Sequence, residues 1–238
     1  MTSQSGPTRT ANVLSKISTH GRWVVRIMPV DTKRRLLSPL ACRTAVERSA
    51  VEMRGWDYPH VVPTSHDDHG AYPIEHGYET WTDWDTHIEA WRFMQSGQFV
   101  HQFAMWEEFE LPRHVERNSG HPWLSLESTI YSFTEILTFA ARLTEQVDYG
   151  DKITIEVGLR ETGGRQLFAD FRRALFRRYA CEIPAIHRTL TVAPDELRAN
   201  RLEFSNAMSR ETLALFSLDI EARIVSDIQE QLASRRWS

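Results

Sequence analysis

Lysine is nearly missing from this chain: Lys16, Lys33 and Lys152 are the whole complement in 238 residues. None stands in G-x-x-x-x-G-K-[ST], which excludes a phosphate-cradling loop of that type. None lies in an evident apolar pocket, which disfavours Schiff-base chemistry. Cysteine is scarcer still. Cys42 and Cys181 cannot build a disulfide framework and are expected as small buried hydrophobes in a reducing cytoplasm. No apolar run approaches the roughly 20 residues that span a bilayer. The opening stretch has no apolar h-region, so neither membrane insertion nor a secretory signal is expected. H-E-x-x-H, Cys/His zinc spacing, an EF-hand and a G-x-S-x-G elbow are all absent.

What is present is uneven. Residues 1 to 54 carry ten Lys/Arg against three acids, whereas residues 55 to 121 carry three against twelve. The two quarters can pair with each other, and no uniformly basic nucleic-acid footprint emerges. Eight of the ten histidines fall between His60 and His121.

Periodicity predicts an α+β fold: a mixed or antiparallel sheet packed by one long central helix, with a helical C-terminal tail. Residues 1 to 20 form a flexible tail in this reading, and 21 to 238 form one domain, helical from 193 onward. Strands are expected at 22 to 30, at the start of "VEMRGWDYP", in "YETWTDW", in "QFVHQFAMW" and in "IHRTLTV". Ser38 and Pro39 open a helix, with Leu40, Val46 and Ala50 inward. Residues 63 to 77 look like a long loop. Thr86 and Glu89 match a capping box, predicting a short helix from His87 to Ser96. Ser125 caps the main helix, where Leu126, Ile130, Phe133, Leu137 and Ala140 recur at helical spacing over about 33 Å. "DKITIEVGLRETGGRQLFADF" predicts a hairpin turning at Gly163-Gly164. From Pro194 the pattern is helical, with breaks near Ser209 and Ser217.

Several clusters could carry chemistry. "HDDH" at 66 to 69 and "DWDTH" at 83 to 87 mix carboxylate with imidazole, the ligand types of zinc, manganese or iron. Without a metal-ligand spacing they read first as a polar surface loop, with His101 hydrogen-bonded inside a sheet. Asp83 and Asp85 form a D-x-D that also fits a helix cap. Trp81, Trp84, Trp91, Phe99, Phe103 and Trp106 line either a pocket or, more commonly, a core. The basic runs 33 to 35 and 171 to 179 could meet phosphates or blunt a sheet edge.

"VEMRGWDYPH", "WTDWDTHIEAWRFMQSGQFVHQFAMWEE" and "IYSFTEILTFAARL" together resemble a family of uncharacterised bacterial proteins. Its members carry a GWD-[YF]-P-H segment, a D-W-x-x-H-x-E-x-W-R-x-x-Q-S-G-Q-F block and a long helix. The resemblance covers Trp23 to Val192 and implies a shared fold unit, with no activity to carry over. Similar modules sometimes adjoin an AlbA-type nucleic-acid-binding domain.

That block suggests a cluster of Trp56, Asp57, His60, Trp84, His87, Trp91, Gln95, Gln98 and His101, with aromatic walls and hydrogen-bonding tips. The expected function is a non-catalytic sensing or interaction domain of a bacterial cytoplasmic system, binding a protein partner or small ligand. No cofactor is expected, and no metal ligand is assigned. Two alternatives stand: a metal-dependent hydrolase or nuclease using the His/Asp cluster between 57 and 101, and nucleic-acid binding through the arginine-rich segments.

Overall fold

A computed structural model describes residues 6–30, 37–112, 115, 120–169 and 175–234. The basic run 33 to 35, residues 171 to 174 and His114 lie outside the described residues.

The frame is a seven-stranded antiparallel sheet. Its strands are β1 (Arg22–Pro29), β4 (His69–Ile74), β5 (Gly77–Asp83), β6 (Ile88–Met94), β7 (Phe99–Ala104), β9 (Ile153–Arg160) and β11 (Ala185–Val192), in the order β11-β9-β1-β7-β6-β5-β4. Two short pairs stand beside it. β2 (Val51–Glu52) and β3 (Asp57–Tyr58) are antiparallel, whereas β8 (Trp123–Ser125) and β10 (Gln166–Phe168) are parallel.

Alternation assigns the faces of this sheet. Trp23, Val25 and Ile27 of β1, Trp91 and Phe93 of β6, and Phe99 of β7 join one core with α3 (Leu126–Gln146). The Phe99 and Phe139 rings lie 4.8 Å apart, and Trp23 meets Phe133 edge-on at 5.3 Å. Each such fully buried large side chain contributes roughly 1.5–3 kcal/mol. α3 is buried nearly all round, as a central helix must be, between the sheet, α2 (Pro39–Ser49), α4 (Pro194–Ala214) and α5 (Ala222–Ser234). Ser125 caps it, its hydroxyl accepting from Ser128 N–H. The same cap chemistry opens α2, where Ser38 accepts from Ala41 N–H. The α+β class with one central helix and a helical C-terminal part therefore stands.

Six local expectations are corrected. Residues 6 to 18 are not a tail: α1 (Gly6–Ser18) sets Val13 and Ile17, four residues apart, on Trp81, Ile88 and Ala90 across the other sheet face. The supposed loop at 63 to 77 contains β4, an edge strand, the one place in a sheet where Pro73 is tolerated. The helix expected from His87 to Ser96 is strand β6; Glu89 faces inward to His101 and caps nothing. The β9 hairpin does not form, because β1 and β11 flank β9 and Gln166–Phe168 turns away to β8. Leu40 points outward at 70% exposure, while Cys42, Ala45 and Val46 face in. Of the two breaks expected in the C-terminal part, the one at Ser217 is present, with φ 64°; the other falls not at Ser209 but at Asn200, where α4 kinks at φ −117°.

Candidate functional site

The inner sheet face carries Glu89 on β6, His101 and Phe103 on β7, and Trp23 on β1, brought side by side by register. Glu89 pairs with Phe103, and Trp91 with His101. The β2–β3 hairpin closes over this end. Gly55, at φ 76°, makes the turn that L side chains resist, and it sets Arg54 against α3 and Trp56 against the rings of His60, Trp84 and His87.

Glu89 is the hub. Its Oε1 accepts from His60 N–H at 2.9 Å, and its Oε2 lies 3.0 Å from His101 Nε2. His87 Nε2 sits 3.3 Å from the same oxygen but off the angle of a hydrogen bond, and it is buried without another partner. Burial alone would raise this carboxyl; the neighbouring His101 and His87 rings instead hold it well below the usual carboxylate range. Tyr58 hydroxyl stands 3.3 Å from His101 Nδ1, and burial raises that phenol well above its ordinary value.

Around the hub lies an aromatic cluster. Trp56 contacts the rings of His60 at 4.3 Å, Trp84 at 5.0 Å and His87 at 5.2 Å. Asp57 Oδ1 lies 2.5 Å from His60 Nδ1, and its Oδ2 accepts from Val61 N–H. Trp91 is fully buried beneath and donates from Nε1 to the His60 carbonyl at 2.8 Å. Seven of the nine expected residues thus share one neighbourhood. Gln95 and Gln98 do not: they sit at the β6–β7 turn, where Gln95 donates to the Leu37 carbonyl. Six residues of strand, about 20 Å, separate Gln95 from Glu89.

Beside the cluster opens a cavity of about 230 Å³. Trp23, Trp56, Phe103 and Trp106 give it aromatic walls; Arg54, Asp57, His87, Glu89, Glu107 and Glu135 give it charge. Arg54 reaches Glu135 on α3 through Nε at 3.0 Å and a second, shorter contact from Nη2. Ser128 of α3 accepts from Trp106 Nε1 at 2.9 Å. Arg54, Glu89, Glu107 and Glu135 are absent from the sequence-derived cluster. Glu135 left a trace, as an acid inside the apolar run of the central helix, the position where a buried charge needs a partner.

Glu107 is different from the other acids. It is buried and accepts from Ser125 N–H at 2.8 Å, with no ion pair among the described residues. Burial pushes its carboxyl up to about 7, against the Ser125 N–H and the pull of Arg165 and Arg54. An unfolded chain releases this proton near 4.5. Stability is therefore lost as pH rises between about 4.5 and about 7, by up to about 3 kcal/mol, and is level above that window. Glu107→Gln, which keeps the acceptor for Ser125, should abolish that decline; urea midpoints at pH 5 and pH 8 measure it. An unchanged decline in the variant would assign it elsewhere.

Among the described residues no three His, Cys, Asp or Glu side chains converge to hold a metal ion. "HDDH" places His69 beside Asp68 at 2.8 Å, and the His66 ring meets that of His69 tilted at 4.8 Å, all near the surface. Asp83 takes Lys16 of α1 at 2.5 Å, leaving the D-x-D with a structural partner. Of the second basic run, Arg177 donates to the Ser217 carbonyl and Arg178 stands 3.4 Å from His121. Both cysteines are buried free thiols, and burial pushes Cys42 up to about 11. No described helix is long and apolar enough to cross a membrane.

Comparison of the chain with protein-family models, curated proteins and solved structures finds no match, so function rests on the site.

Proposed function

We propose that this chain is a non-catalytic sensing domain of a bacterial cytoplasmic system, which binds a small ligand in the cavity between the β2–β3 hairpin, the sheet and α3. The carrying observation is the cavity itself: aromatic walls with a few convergent polar groups, the usual make-up of a small-molecule site. Its charged side chains are largely occupied by partners inside the fold. Arg54 holds Glu135, the imidazoles hold Glu89, and His60 holds Asp57. The hydroxyls that line the cavity are also taken, Ser128 by Trp106, Ser132 by Arg54 and Thr129 by the Ser125 carbonyl, which suits recognition better than turnover. Two buried free thiols suit a reducing compartment. The metal-dependent alternative lacks the convergence it would use among the described residues.

Thermal unfolding across a set of organic amines, acids, sugars and nucleosides tests this. A ligand present at 100 times its Kd should raise the melting temperature by about 5–10 °C for a chain of this size. His87→Ala and Trp56→Ala should leave a folded protein whose affinity for that ligand drops at least about tenfold. Shifts that survive both substitutions, or none from any class, would count against the cavity.

A further inference from the structure

We propose that the cavity takes a compact organic ammonium ion, its positive charge against Glu107 and its carbon groups against the faces of Trp23, Trp56, Phe103 and Trp106. This rests on the reading of the cavity as a ligand site and names the chemistry of what enters it.

The argument is one of charge left over. Four carboxylates line the cavity: Asp57, Glu89, Glu107 and Glu135. Three have cationic or imidazole partners within the fold, on Arg54, His60, His101 and His87. Glu107 has a backbone N–H and the more distant attraction of Arg54 and Arg165, and Arg165 itself is bonded to Glu108. Among the described residues, one buried acid on an aromatic-walled cavity is therefore short of a counter-charge. An anionic ligand would add charge of the same sign to a wall already holding four acids against Arg54 and His87. A cation gains twice, from the carboxylate and from the negative faces of the rings, and most strongly where water is excluded. The volume of about 230 Å³ limits the ion to a small one.

Binding should also displace a proton, because burial holds Glu107 partly protonated near neutrality. The other titratable groups facing the cavity are Asp57, Tyr58, His87, Glu89 and Glu135, so the Glu107→Gln variant is needed to isolate this one.

Calorimetric titration with choline, whose charge does not change with pH, tests the proposal against its neutral isostere 3,3-dimethyl-1-butanol, with glucose and succinate as further probes. Choline should saturate one site and exceed the isostere by at least about tenfold. Below about pH 7 its affinity should fall about tenfold per pH unit, as the proton competes for the carboxylate. Glu107→Gln should reduce choline binding at least about tenfold and remove this slope, while leaving the isostere within about twofold. Equal binding of choline and the isostere, or preference for glucose or succinate, overturns the ammonium assignment and leaves the cavity a ligand site. Absence of saturable binding by all four probes overturns both.

Discussion

Arg54→Met is expected to lower the unfolding free energy by about 3 kcal/mol, measured by urea denaturation followed by circular dichroism. Glu135 projects from the middle of α3 with 2% of its side chain exposed, and the Arg54 fork is its cationic partner. Methionine keeps the aliphatic bulk and removes the charge. A buried carboxylate left without a partner must either stay charged in a poor dielectric or take up a proton, and both cost free energy. Losses of this kind run to about 3–5 kcal/mol; the lower end applies because Arg54 keeps 29% exposure and water screens part of the attraction. Glu135→Gln in the same background should recover part of the loss, since an amide carries no charge to desolvate. A loss below about 1 kcal/mol from Arg54→Met alone would show that water already neutralises Glu135. The outcome bears on function, because the Arg54–Glu135 pair forms one wall of the cavity and ties the β2–β3 hairpin to the central helix.

How far such a site can be read in advance depends on whether a residue's partner is near it in sequence. Ser125 and Ser38 were legible because a cap hydroxyl bonds an N–H three residues on. The inward stripe of α3 was legible because helical spacing repeats within one segment. Glu89 was misread for the opposite reason. Local spacing offered it Thr86 and a capping box, but its carboxylate reaches His101, twelve residues away, and the His60 amide, twenty-nine residues back. That tertiary demand, with pairing to β5 and β7 on either side, makes 88–94 a strand. Ile88 and Ala90 then face α1 while Glu89, Trp91 and Phe93 face α3, so this apolar run belongs to two cores. α1 itself was hidden because only Val13, Leu14 and Ile17 mark an inward face in a polar stretch. Trp56, Asp57, His60, Trp84, His87, Trp91 and His101, which the resemblance block groups together, do share one neighbourhood in the fold. A linear block does not say that Gln95 and Gln98 lie at the far end of the strands from Glu89.

His101→Phe should be as severe as any substitution at the site, costing about 3–5 kcal/mol in urea unfolding at pH 7. Phenylalanine fills the space of the imidazole among Phe99, Phe103 and Tyr58, so the loss is electrostatic rather than a cavity. It deprives Glu89 of the 3.0 Å contact at Oε2 and leaves the poorly angled His87 as the nearest imidazole. Because Glu89 titrates below its ordinary 4.5 in the folded protein, its contribution is present above about pH 4.5 and is lost as pH falls below that. The His101→Phe variant should therefore show a shallower loss of stability on acidification than the wild type. Adding Glu89→Gln to His101→Phe should recover about 1–3 kcal/mol, because the amide still accepts from His60 N–H while removing the stranded charge. A double variant no more stable than His101→Phe alone would place the stabilisation of Glu89 in the His60 amide, and the imidazole contact would then be a feature of the cavity wall rather than of the core.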